Sequence, residues 1–280
     1  MSLESSVICC DLDGTLLTSS KGITPYTREV IAEARARGCR FCLASGRSPG
    51  VIRAYHKMLG LDTPVIAHSG AVVWLPNDGR VLSERRLPQK PALDYIDFCI
   101  EEDLDWKLFT FDAVYYPSRE GRHGFYEDYN ALARKYGVPE FAYHDGLTRD
   151  QAAELVAHDA FRISVVNPTE RQRSVLEAHA AAHAEMTFVY SMRTSFDALP
   201  LEVNKWQGAL KLCDYFGIDA SEVVAFGNDE NDIEMIRNAG HGFIVENSDS
   251  KLLACQATVI GSNDADGVAH AIRSFVLQEQ

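Results

Sequence analysis

The chain has 280 residues, 46% apolar and 24% charged, and carries a formal net charge of −13 from 40 acidic and 27 basic side chains. That is enough apolar material for one large domain or two modest ones. Its acidity works against binding nucleic acid or an anionic membrane. No run approaches the roughly 20 apolar residues of a membrane-spanning helix, and Met1 to Ser6 lacks the basic and apolar regions of a signal peptide. The seven cysteines, Cys9, Cys10, Cys39, Cys42, Cys99, Cys213 and Cys255, are odd in number and sit mostly in apolar runs. Cys39 and Cys42 have C-x-x-C spacing, but no second pair or nearby histidine completes a zinc site. Free buried thiols in a cytoplasmic protein are the expectation.

The first apolar run, Ser6 to Leu12, is short and apolar on both faces, as in a strand buried in a parallel sheet. Thr24 and Pro25 supply a helix cap and first helical residue, Val30, Ile31 and Ala34 follow at helical spacing, and Gly38 closes the helix. A strand over Arg40 to Ala44 runs into Ser45-Gly46-Arg47, followed by a helix over Gly50 to Leu59 and a strand over Val65 to Ala67. This alternation predicts a doubly wound, Rossmann-like parallel sheet. From Gly79 the pattern changes: Val81 to Leu87 leaves the core, and Pro88 and Pro91 punctuate a linker. Helices are expected at Ala92–Glu102, Phe125–Tyr136 and Thr169–His183, with strands in Trp106–Tyr115, Phe161–Val166 and Thr187–Ser191. The α/β pattern returns with helix Trp206–Phe216, strand Val223–Gly227, helix Asp232–Asn238, strand Phe243–Val245 and helix Gly267–Leu277. The expected architecture is therefore an α/β core of residues 1–86 and 193–280, interrupted by an α+β cap of residues 87–192.

Chemistry-bearing residues gather at expected strand ends, where open α/β sheets bind ligands. Asp11-Leu12-Asp13-Gly14-Thr15 follows the first strand. Two carboxylates so close, with no local basic partner, repel each other unless a hard cation such as Mg²⁺ joins them; an acidic Asp-Gly turn is the plainer reading. Ser45 and Gly46 offer a hydroxyl and backbone N–H groups to a phosphate, or form an ordinary turn. Lys205 opens a helix, where the macrodipole disfavours a cation, so either another group holds it or it is a solvated lysine. Asn228-Asp229-Glu230-Asn231-Asp232 follows a strand and suits either helix capping or a metal site.

Taken together, these segments resemble the haloacid dehalogenase (HAD) superfamily, and within it the Cof-type phosphatases with a large inserted cap. Asp11 to Leu17 is similar to the first motif, Ser45-Gly46-Arg47 to the second, Lys205 to the third-motif lysine and Gly227 to Asp232 to the fourth. The resemblance implies a Mg²⁺-dependent phosphatase acting on a small phosphorylated metabolite, such as a sugar phosphate. In that reading Asp11 is the nucleophile and Asp13 the general acid and base, while Ser45, Gly46 and Lys205 bind phosphate. Asp11, Asp13, Asn228 and Asp232 form the metal site, with Asn228 a direct ligand and Asp232 acting from behind it. Three positions depart from the pattern: Asn228 at the first acidic place of the fourth motif, Ser69 where asparagine is frequent, and Trp206 where glycine is usual. Asp229 is the rival to Asn228 as direct ligand. A phosphomutase or a non-catalytic sugar-phosphate sensor on the same core would be the alternatives. The protein is expected to be a monomer or small homo-oligomer, and the polar cap residues Arg122, His123, His144 and Arg193 are specificity candidates that read mostly as ordinary surface groups.

Overall fold

A computed structural model describes residues 6–117, 124–191, 194–255 and 257–278. In chain order its elements are β1 (Val7–Cys10), α1 (Pro25–Ala36), β2 (Arg40–Leu43), α2 (Pro49–Met58), β3 (Val65–Ala67), β4 (Val72–Trp74), β5 (Val81–Glu84), α3 (Gln89–Glu101), β6 (Trp106–Phe109), β7 (Ala113–Tyr116), α4 (Gly124–Tyr136), β8 (Ala142–Asp145), α5 (Arg149–His158), β9 (Arg162–Val166), α6 (Glu170–Ala182), β10 (Met186–Ser191), β11 (Ser195–Pro200), α7 (Lys205–Phe216), β12 (Val223–Gly227), α8 (Ile233–Asn238), β13 (His241–Val245), α9 (Ser250–Leu253), β14 (Thr258–Ile260) and α10 (Gly267–Ala271).

The chain divides into two units. The first comprises residues 1–46, 58–83 and 204–280. Its main sheet has the order β14-β13-β12-β1-β2, and every pairing in it is parallel. All four β1 residues are fully buried, as a strand covered on both faces requires. Strand order runs outward from β1 in one direction and from β12 in the other, so these neighbours form the switch point where ligands bind in such sheets. The third predicted strand behaves differently from expectation. β3 joins the main sheet only through a single parallel bridge, Ala44 to Ile66, and pairs antiparallel with β4 in a separate three-stranded sheet. α1 starts as its sequence implies: the Thr24 hydroxyl accepts the Thr27 N–H and Pro25 occupies the first turn. Under the main sheet, Val7, Cys9, Ile66, Ala209, Leu212 and Met235 pack into one core.

The second unit comprises residues 47–57 and 84–203. Its six-stranded sheet, in the order β10-β11-β9-β6-β7-β8, is antiparallel except between β7 and β8. One face carries Trp106, Leu108, Ile163, Val165, Phe196 and Ala198, packed with Tyr95 and Ile96 of α3, Val156 of α5 and Leu176 of α6. The boundaries of this unit differ from the expected 87–192. β11 pairs along its length with β10 and lies between β10 and β9, so the unit's sheet extends past residue 192. Residues 47–57 join it too, because Gly50 donates to the Phe111 carbonyl and accepts from the Tyr129 hydroxyl. β11 was illegible in sequence because it carries an acid at Asp197 and ends in Pro200, both unusual in an inner strand.

Candidate active site

All of the site residues expected from the sequence lie in the first unit. Asp11 follows β1, and its N–H donates to the Phe226 carbonyl of β12 (3.0 Å), which ties the ends of the two central strands together. Ser45 and Gly46 follow the adjacent β2. The Ser45 N–H donates to the Ile66 carbonyl (2.8 Å) and its own carbonyl accepts the Ser69 N–H (3.0 Å), so the loops after β2 and β3 support each other. Gly70 in the second loop has φ +109°, and a Cβ there would stand 2.1 Å from the Asn204 carbonyl oxygen. Only glycine lets this loop pass the backbone that introduces Lys205.

Lys205 is the first residue of α7 and is completely buried. Its ammonium donates to Asp11 Oδ1 and Asp232 Oδ1, both at 2.6 Å. These two carboxylates explain a cation at a helix start, where the dipole alone would oppose it. Burial by itself would drive the ammonium toward neutrality, but the paired carboxylates outweigh it and Lys205 titrates above an ordinary lysine. Burial pushes the Asp11 carboxyl up to about 7, with the Lys205 ammonium pulling against it and Asp232 adding to it. One ammonium between two carboxylates leaves the cluster one negative charge in excess, an attractive setting for a cation.

Asp232 is fully buried. Its second oxygen accepts the N–H groups of Asn228 (3.0 Å) and Asp229 (3.1 Å), so it shapes the loop after β12 with both oxygens engaged. Asp229 Oδ1 accepts the Glu230 N–H (2.9 Å) and caps the short helical turn that follows. Asn228 turns the other way. One arm of its amide lies 2.8 Å from Thr15 Oγ1, 2.9 Å from the Asp13 main-chain oxygen and 3.2 Å from Asp11 Oδ2. Gly14, at φ +80°, makes room for it, since a Cβ there would come within 2.6 Å of the Asn228 amide. With the amide nitrogen in that place, its two N–H groups are shared among the three oxygens. With the amide oxygen there, it accepts the Thr15 hydroxyl (2.8 Å) but faces the Asp13 main-chain oxygen and Asp11 Oδ2 as acceptors, and a hard cation among these oxygens removes the repulsion.

That donor set fits Mg²⁺, which is held by one or two carboxylates with neutral oxygens, water and phosphate completing its shell. Among the described residues, no three His, Cys, Asp or Glu side chains converge as metal ligands.

The carboxylate of Asp13 has a basic partner that the sequence reading lacked. Lys21 donates to its Oδ1 at 2.8 Å, from a side chain that is half exposed. The lysine is eight residues on, in a turn where its N–H returns to the Thr18 carbonyl, so only the folded loop brings it back. Thr15 beside Asn228 is a second neighbour that was not singled out, although it lies within the first motif. Of the polar cap candidates, His144 is exposed and stacked on Tyr115 at 4.7 Å. Arg122, His123 and Arg193 lie outside the described residues.

The buried Asp11, held by the buried Lys205 at the switch point of a parallel sheet, is a carboxylate placed where such sheets bind ligands and where an enzyme can use it as a nucleophile. The chain belongs to the haloacid dehalogenase-like hydrolase family, whose match spans residues 8–272. It is 26% identical over 275 residues to the pyridoxal phosphate phosphatase YbhA of Escherichia coli strain K12, covering 98% of this chain and all of that protein. The fold matches a haloacid dehalogenase-like hydrolase from B. subtilis with a TM-score of 0.82 at 23% identity, over 96% of this chain and 99% of the other. It also matches a HAD subclass IIB sugar phosphatase with a TM-score of 0.79 at 20% identity, over 98% of this chain and all of the other. Among the described residues, no helix is long and apolar enough to cross a membrane.

Proposed function

We propose that the protein is a Mg²⁺-dependent phosphatase that hydrolyses a small phosphate monoester, such as a sugar phosphate, through an aspartyl-phosphate on Asp11. The observation that carries this reading is the posture of Asp11: Lys205 fixes Oδ1, while Oδ2 faces the Asn228 amide. In the first step an Asp11 carboxylate oxygen bonds to phosphorus and the bond from phosphorus to the leaving oxygen breaks. Asp13, released from Lys21 and protonated, gives its proton to that leaving oxygen. Asp13 then takes a proton from water, the water oxygen bonds to phosphorus, and the Asp11–phosphorus bond breaks to release inorganic phosphate. Ser45, Gly46 and Lys205 hold the phosphoryl group, and Asp232 positions Lys205 and the Asn228 loop. Asp11, the Asp13 carbonyl and Asn228 would hold Mg²⁺, which when bound neutralises charge on the phosphoryl oxygens. In this reading the inserted unit supplies the selection of the leaving group. All seven cysteines are free and buried, which supports a reducing, cytoplasmic setting.

The test is phosphate release from a panel of phosphorylated metabolites with Mg²⁺ and with chelator, repeated on Asp13→Ala. The variant is expected to lose about 10²- to 10⁴-fold on a sugar phosphate, whose alkoxide needs a proton, and markedly less on nitrophenyl phosphate. Equal losses on both esters would remove Asp13 from the acid role. Phosphate transferred to a second hydroxyl in place of water would indicate a mutase.

For the metal, Asn228→Asp is expected to tighten Mg²⁺ about tenfold by adding a charged ligand. Asp229→Ala, which removes only a helix cap, should leave it nearly unchanged. Calorimetric titration of the metal decides this. A large loss in Asp229→Ala with Asn228→Ala near neutral reverses the assignment.

A further inference from the structure

We infer that the inserted unit carries an oxyanion-binding site of its own, built by Lys107 and Arg162, that takes a carboxylate or phosphate group. The strand alternation sets it up. Trp106 and Leu108 of β6, Ile163 and Val165 of β9, and Phe196 and Ala198 of β11 face the helix-packed core. Lys107, Phe109, Arg162, Ser164 and Asp197 therefore share the opposite face. The register places Lys107 across from Ser164, Phe109 across from Arg162, and Ser164 across from Asp197.

This face is almost entirely buried, yet it is unbalanced. Asp197, fully buried, accepts Arg162 Nη1 (3.0 Å), Ser164 Oγ (2.6 Å) and Ser191 Oγ (2.7 Å), so three donors already occupy its oxygens. Arg162 is 8% exposed, and its Nε–H is buried with no hydrogen-bond acceptor among the described residues. Lys107 has no carboxylate partner among the described residues. Its ammonium instead lies 5.3 Å from the Phe109 ring centre and 6.0 Å from those of Tyr116 and Tyr126, and the Arg162 guanidinium lies 4.0 Å from Phe109. The rings attract the charges, but they do not accept the Nε–H. Two cations, Arg162 buried and Lys107 partly buried, thus face one buried carboxylate, with Asp105 adding a further attraction on Lys107, the more notable in a chain with a net charge of −13. Burial draws Lys107 down to about 8, with Arg162 pushing the same way.

Unpaired buried donors and excess buried charge are costly, and native structures retain them where a ligand completes the set. An oxyanion supplies what is missing: one negative charge, an acceptor for the Arg162 Nε–H and acceptors for the Lys107 ammonium. A planar or tetrahedral anion suits a guanidinium edge, which presents its N–H groups in a fixed fork. A neutral hydroxyl would satisfy the hydrogen bond but leave the charge.

The test uses the intact protein in chelator, with inorganic sulfate and malonate as probes, read by calorimetric titration and by the rise in Tm. Lys107→Gln keeps a polar side chain of similar reach at a partly exposed position, and Arg162→Lys keeps a cation beside Asp197 while removing the Nε–H. Each is expected to weaken sulfate and malonate about tenfold or more, because each removes part of a charge-assisted contact. Probe affinity unchanged in Lys107→Gln, or no binding to the wild type, overturns the proposal. A pair of esters that differ in a second anionic group, phosphoglycerate and glycerol phosphate, then locates the source of the anion. A fall in their kcat/KM ratio in Lys107→Gln assigns the oxyanion to the substrate itself. An unchanged ratio with weakened sulfate assigns the site to a free anion. Because the sulfate measurement needs no turnover, it stands or fails separately from the phosphatase reading.

Discussion

Asp11→Asn is expected to lower phosphate release by about 10⁴-fold or more, because a neutral amide is a poor nucleophile toward phosphorus. The substitution keeps the shape of the side chain. It also removes a buried carboxyl that desolvation already pushes up to about 7, and Lys205 keeps its contact with Asp232. Folding stability should therefore be unchanged or higher, which separates lost chemistry from lost structure. In the wild type, brief incubation with a phosphate ester followed by acid quench should add one phosphoryl mass to the peptide carrying Asp11. Label on another residue, or a variant that turns over near the wild-type rate, would refute Asp11 as the nucleophile.

Lys205→Met is expected to destabilise the fold by about 3–5 kcal/mol at pH 8, the usual cost of breaking a buried ion pair from one side. The variant leaves Asp11 and Asp232 buried with no ammonium between them. Asp11, which burial already pushes up to about 7 against the pull of Lys205, then rises further above its unfolded value, and the buried Asp232 loses its counter-ion. A raised acid pKa penalises the folded state above that pKa and releases the penalty as pH falls through it. The difference between wild type and variant should therefore shrink on moving from pH 8 to pH 5. Urea unfolding at the two pH values measures it. A gap that stays constant would mean that the loss comes from packing of the lysine stem, with little contribution from the carboxylates. Activity should fall along with stability at both pH values, since Lys205 also holds the nucleophile.

Local chemistry was legible in the sequence where one segment carries it whole. The apolar run at Val7–Cys10 ending in Asp11, the cap and proline at Thr24 and Pro25, and the helix opened by Lys205 all reappear as expected. Each follows from short-range rules: burial of a two-faced apolar strand, satisfaction of the first helical N–H groups, and the fixed φ of proline. The helix-dipole argument left Lys205 either held by another group or solvated, and named no partner for it.

Partners distant in the chain were decided by tertiary structure alone. Lys205 meets Asp11 across 194 positions and Asp232 across 27, and those contacts exist only because β1 and β12 are neighbours in a sheet whose order is not the chain order. The same holds for Lys21 turning back onto Asp13 and for Asn228 reaching the Asp13 carbonyl while Asp229 caps the next turn. Arg162, Asp197 and Lys107 read as scattered polar residues in the sequence, and Asp197 hid a strand. Strand pairing aligned them on one buried face, where desolvation turns ordinary charges into an unbalanced set. Sequence by itself determined which residues can form strands, caps and charged groups, because those depend on near neighbours. Which charges lose their water, and which partners they then find, depends on the packing of distant segments, and only the folded chain decided it.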